Sequence, residues 1–172
     1  MRRLFYSLAL VAVAGTVNAQ PIFRVSIVPD QCGLNLCSIS TAKKDPPPFY
    51  VVLTNQSDKP QLVWEAWNSW GYRSISFEIT SSTGKTYVVT KKEHGFTRNF
   101  PSVYPIPPGE QQVFPIQLDD EWVGKPTFDP AGTDRVTVKA LFKIEPSKEA
   151  SAARMWIGRI SSRTYNLSLR HW

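Results

Sequence analysis

An immunoglobulin-like β-sandwich of about eight or nine antiparallel strands is the fold class this sequence predicts. Three observations predict it. Apolar and polar residues alternate with period 2 through much of the chain, and clusters of Asn, Ser, Pro and Gly interrupt the alternation at short intervals. A helix-forming composition occurs only over residues 147–155, too short a stretch to hold a helix by itself.

The elements follow in chain order. Met1-Arg2-Arg3 is a short positive end, residues 4–17 are apolar, and Val17-Asn18-Ala19 places small residues at the sites read by a signal peptidase. Residues 1–19 therefore read as a signal peptide and residues 20–172 as a single sandwich domain. The apolar stretch falls short of the roughly 20 residues a membrane-spanning helix needs, and no second one follows. Gln20 is not the cysteine of a lipoprotein anchor. Secretion or periplasmic export is the expectation, with no membrane span.

Export makes the two cysteines legible. Cys32 and Cys37 are expected to pair in an oxidising compartment and staple an N-terminal loop, with Gly33 permitting the tight turn between them. The C-x-x-C spacing of a redox pair is absent.

Phe23, Val25 and Ile27 define a first strand with one buried face, and residues 49–53, apolar on both faces, read as a central strand. Residues 62–67 read as a strand with Leu62, Trp64 and Ala66 on the core face and Val63, Glu65 and Trp67 on the wetter one. Ile75, Phe77 and Ile79 alternate cleanly, and residues 81–85 turn the chain into a hairpin partner. Pro115 inside residues 111–118 marks an edge or bulged strand. Val136, Val138, Ala140, Phe142 and Ile144 form a long inward row with Leu141 as its one misfit, and Tyr165, Leu167 and Leu169 close the chain.

Charge excludes a strong nucleic-acid partner. The 20 Lys and Arg exceed the 14 Asp and Glu, and the formal net charge of +6 becomes +4 once Arg2 and Arg3 leave with the leader. The basic residues are scattered, as in Lys43-Lys44 and Lys91-Lys92, and are not gathered on one element. Such an excess supports solubility and weak attraction to anionic cell-surface polymers.

Catalysis has little to work with. His94 and His171 are the only histidines, no G-x-S-x-G or H-E-x-x-H is present, and no nucleophile–base pair can be named, so the chain reads as a non-enzyme without cofactor or metal. Asp119-Asp120-Glu121, with Asp129 and Asp134, is the densest acidic run and lacks the calcium-loop pattern.

The residues most worth suspecting are aromatic. Trp67, Trp70 and Tyr72 either form a platform for a protein or glycan partner or close the end of the sandwich. Residues 91–105 form a long connection containing Phe96, Arg98, Asn99, Phe100 and Tyr104, either a binding loop or a crossover whose rings pack inward. Trp122, Trp156 and Trp172 add nothing specific. Asn55-Gln56-Ser57 and Asn166-Leu167-Ser168 fit the glycosylation pattern, relevant only in a host with the machinery.

The turn Asn55-x-Ser57-x-x-Pro60, the strand Phe77-x-Ile79 leading to Gly84-Lys85, Pro108-Gly109-Glu110 before a strand, and residues 156–162 before the last one together resemble small bacterial immunoglobulin-like domains. Among named families the chain is most similar to the BsuPI-type proteinase-inhibitor domain. That resemblance covers roughly residues 48–170; it implies a sandwich and proteinase inhibition, and it assigns no residue. The expected function is non-catalytic recognition of a protein or glycan at the cell envelope by a monomer, with proteinase inhibition through residues 91–105 or a purely structural role as alternatives.

Overall fold

Ring pairs that cross between two sheets hold this chain together. The computed structural model describes residues 21–41, 47–127 and 133–170. The leader, Lys43-Lys44, Asp129, His171 and Trp172 lie outside the described residues. One sheet has three strands in the order β1 (Phe23–Val28), β4 (Phe49–Asn55) and β9 (Gln111–Ile116). The larger sheet runs β10 (Trp122–Val123), β7 (Thr86–Lys91), β6 (Ile75–Ser81), β11 (Thr133–Ile144), β13 (Tyr165–Arg170), β3 (Cys37–Ser40), β2 (Gln31–Cys32), with β12 (Gly158–Ser161) also on β11. A separate ribbon pairs β5 (Gln61–Trp64) with β8 (Val103–Ile106).

The result is the all-β sandwich that period-2 alternation requires, since each sheet must cover its greasy face. Phe49 meets Phe77 edge-on at 5.5 Å, and Phe23 and Phe114 reach Phe142 at 6.3 and 6.2 Å. Burying each such ring contributes on the order of 2 kcal/mol. Among the described residues nine of the ten strand pairings are antiparallel, and β3 with β13 is parallel.

Thirteen strands occur among the described residues, more than the alternation announced. Two of the additions, β2 and β10, are two residues long and too short to display a period. Another, β8, begins inside the long connection read as residues 91–105, so the loop proper spans 92–102. Cys32 and Cys37 lie opposite each other across β2 and β3 and form the disulfide. Residues 147–155 contain one short helix, α1 (Lys148–Ala152), with the Ser147 hydroxyl accepting the Ala150 N–H at its start.

Pro115 sits on an edge strand, and hydrogen-bond parity explains its tolerance. The Asn55 N–H donates to the Glu110 carbonyl at 3.0 Å. Alternation from that pair turns the backbone groups of residues 111, 113 and 115 away from β4, toward the free edge. The same parity, set by the Glu65 N–H on the Ser102 carbonyl at 3.2 Å, turns Pro105 away from β5. Both edges thus lack a donor where another chain would pair.

Two expectations are corrected in whole or in part, and the Leu141 misfit is explained. β5 stops at Trp64, and Val63 and Trp64 are both buried, so the two-faced strand over residues 62–67 does not form. Ala66 is exposed in the turn that follows. β4 is central in its sheet as expected, and its outer face is buried at Val52 and Thr54 but opens at Tyr50, which is 38% exposed. Leu141, the misfit on the outer face of β11, is 4% exposed, with β12 paired alongside it.

Candidate functional site

After Trp64 the chain abandons extended structure and coils through residues 66–74, and this turn positions the aromatic segment. Asn68 N–H donates to the Glu65 carbonyl at 3.3 Å, Tyr72 N–H to the Asn68 carbonyl at 2.9 Å, and Ser74 N–H to the Gly71 carbonyl at 3.0 Å. Gly71 is required by space: a Cβ there would lie 2.2 Å from the Glu65 carbonyl oxygen and 2.9 Å from the Trp64 Cβ.

Asn68 is the organising residue, and its side chain is fully buried. Its Nδ2 donates to the Ser102 carbonyl at 2.9 Å, and its Oδ1 accepts the Gly71 N–H at 2.9 Å. One amide therefore fastens the turn to the end of the long loop. Asn99 adds a reciprocal pair, its Oδ1 accepting Ser69 N–H at 3.0 Å and its Nδ2 donating to Ser69 Oγ at 2.8 Å. The sequence names Asn99 only as a member of the long loop and gives Asn68 no role. The signal available was the side-chain turn chemistry of Asn-Ser followed by glycine.

The turn and loop bring together residues that sequence reading placed in separate candidates. Trp67 stands edge-on to Phe100 with ring centroids 4.9 Å apart, and the two are 47% and 57% exposed. The Trp67 indole N–H donates to Glu65 Oε2 at 2.8 Å, which fixes the ring. Exposed Tyr104 and Val113 continue this apolar rim, and a groove of about 230 Å³ runs beside it between residues 63–67, Tyr104 and residues 112–115 of β9.

Trp67, Trp70 and Tyr72 do not share one platform, because each has its own ring partner. Trp70 is half-buried against Trp64 at 5.7 Å and opens onto a different groove. Tyr72 packs on His94 and Phe96, both at 5.6 Å. Arg98 is exposed at the loop between Phe96 and Asn99, and no ion pair engages it among the described residues.

The Tyr72 cluster is also an electrostatic knot. The Lys91 ammonium lies 4.4 Å from the Tyr72 ring centre and 5.7 Å from that of Trp122. Burial lowers the Lys91 pKa, against the opposing pull of Asp119 and Glu121. Tyr72 donates its hydroxyl to Glu121 Oε2 at 3.3 Å, and its pKa is raised by burial first and then by the charge of Glu121. Asp119 Oδ1 meanwhile accepts the Glu121 N–H at 2.9 Å, so the acidic run orders its own turn. Trp122 is a core ring, packed on Phe77 at 5.4 Å, and Trp156 is half-buried against the core, with its ring 5.4 Å from Phe23.

No helix among the described residues is long and apolar enough to cross a membrane. No protein-family model matches the chain, and no curated protein matches it. Among solved structures it is similar to the E. coli chaperone DraB, with 13% identity and a TM-score of 0.38 over 88% of this chain. The chain spans 56% of the length of that structure.

Proposed function

We propose that this protein is an exported, non-catalytic recognition domain of the periplasm or cell exterior. It binds a protein partner through the rim formed by Trp67, Phe100 and Tyr104. The observation that carries the reading is the edge-to-face pair of Trp67 and Phe100, two large rings left about half exposed on a turn and a loop that Asn68 and Asn99 hold in place. Rings already held rigidly lose little freedom on binding, and aromatic anchors supply most of the energy of protein interfaces. The Cys32–Cys37 disulfide suits an oxidising compartment.

Selecting a displayed peptide library on the purified protein and measuring the selected peptides by calorimetry tests the reading. Trp67→Ala and Phe100→Ala are expected to weaken binding by about tenfold or more each, a loss typical of anchor residues. Peptides that bind both variants as well as the parent protein would remove the rim from the proposal.

A second reading, proteinase inhibition through residues 92–102, is favoured by the setting of Arg98. It is exposed between Phe96, seated on Tyr72, and Asn99, bonded to Ser69. A side chain displayed between fixed neighbours suits the specificity pocket of an Arg-directed serine proteinase. Titrating such a proteinase with the protein separates the readings: inhibition lost in Arg98→Ala supports this one, and simple cleavage of the loop ends it.

A further inference from the structure

We infer that the outer face of the larger sheet holds a second binding site, for a carboxylate-bearing oligosaccharide, in the groove between Trp70 and Arg159. It goes beyond the partner reading above, because it uses neither Trp67 nor Phe100.

The groove has a volume of about 540 Å³, within the range of pockets that hold small ligands. Its wall is the half-buried indole of Trp70, which is pinned on Trp64 at 5.7 Å and presents a flat apolar surface. Its floor is the pleated face of three strands. Thr90 and Ser76 share a row across β7 and β6 with the buried Leu141 of β11, and exposed Val88 lies beside them. The Thr90 and Ser76 hydroxyls beside the apolar carbon of Val88 and Trp70 match a pyranose ring, which offers C–H groups on its faces and hydroxyls around its rim.

Charge selects among sugars. Arg73, Lys143 and Arg159 line the groove with one carboxylate, Glu145, and a second, Glu149, accepts a hydrogen bond from Trp70 at its wall. Lys143 and Arg159 stand directly opposite each other across β11 and β12. Like charges in that position destabilise a sheet, so the pair is poorly explained by folding alone. Their present partners are surface carboxylates. Arg159 pairs with Glu78 at 2.9 Å, Arg73 with Glu93 at 3.6 Å and Lys143 with Glu145. Exposed pairs of this kind add little stability, so a ligand carboxylate can take the place of one. The planar guanidinium of Arg159 is suited to grip such a group with two parallel hydrogen bonds.

The test is calorimetric titration of the full protein with oligogalacturonate, a neutral cello-oligosaccharide and a sulfated oligosaccharide. Oligogalacturonate is expected to bind and the neutral sugar to bind at least about tenfold more weakly, with affinity falling as salt rises. Arg159→Gln and Lys143→Gln alter exposed side chains and leave the core intact; each is expected to weaken oligogalacturonate by about tenfold. Trp67→Ala is expected to leave this binding unchanged, which keeps the outcome separate from that of the partner rim. No binding of oligogalacturonate, equal binding of the neutral sugar, binding of the sulfated sugar alone, or binding indifferent to both cation variants would each overturn the inference.

Discussion

Asn68 and Ser102, thirty-four residues apart in the chain, are joined by a 2.9 Å hydrogen bond from the buried amide of one to the backbone carbonyl of the other. The same amide accepts from Gly71. The rim that Trp67 and Phe100 present is therefore a product of one polar residue buried beneath it.

Asn68→Ala should destabilise the fold by about 2–4 kcal/mol, because it strands the Gly71 N–H and leaves the Ser102 carbonyl with the weaker of its partners. Urea denaturation measures the loss, and amide exchange should show the turn at residues 66–74 opening faster than the sheets. A change below about 0.5 kcal/mol would deny the amide its organising role.

Trp67 and Phe100 should be coupled by about 0.5–1.5 kcal/mol in a double-mutant cycle, the usual worth of an edge-to-face ring pair. Each single alanine variant should keep the β-type dichroism spectrum of the parent, since the rings lie outside the core. Additive losses would mean that the rings do not meet in solution.

Tyr72 should ionise above its ordinary value of 10.0, because burial and then the Glu121 carboxylate favour the neutral hydroxyl. The ultraviolet difference between the protein and its Tyr72→Phe variant isolates this phenol, and Glu121→Gln should lower its titration part of the way. The folded state holds the proton longer than the unfolded chain. The stabilisation from Tyr72 is thus complete below pH 10.0 and is lost as pH rises through the folded value. Lys91 works in the opposite sense: its pKa is lowered from 10.5, so the cost of its buried charge fades as pH climbs toward that value. Comparing Tyr72→Phe in a Lys91→Gln background removes the second effect.

Removing the disulfide by Cys32→Ser with Cys37→Ser should cost about 2 kcal/mol in the chain-entropy model, given a sequence separation of 5. The thermal midpoint should fall by about 5 °C with the sandwich retained, since β2 and β3 lie at one end of the larger sheet. Loss of the β-type spectrum on reduction would show that the staple holds more than its own hairpin.

Period-2 alternation was enough to determine the sandwich and most of its core. Ile75, Phe77 and Ile79 on β6, and Val136, Val138, Ala140, Phe142 and Ile144 on β11, all face inward as their spacing requires. An extended backbone sends alternate side chains to opposite faces wherever it lies, so this information is local and survives in the bare sequence. The pairing of Cys32 with Cys37 was legible for a related reason, since five residues of chain leave the two thiols little room to separate.

The candidate surface was only half legible. Aromatic residues could be counted, but not their partners. Trp67, Trp70 and Tyr72 look like one group along the chain; the coil after Trp64 ends the alternation and sends them to Phe100, Trp64 and Phe96 respectively. Likewise Lys143 and Arg159 become neighbours only when β12 folds back onto β11. The sequence by itself determined the inward row of the long alternating strands, such as β6 and β11. The tertiary structure alone decided which exposed groups meet, because those meetings depend on turns and on hydrogen bonds such as Asn68 to Ser102, whose ends lie far apart along the chain and leave no period to read.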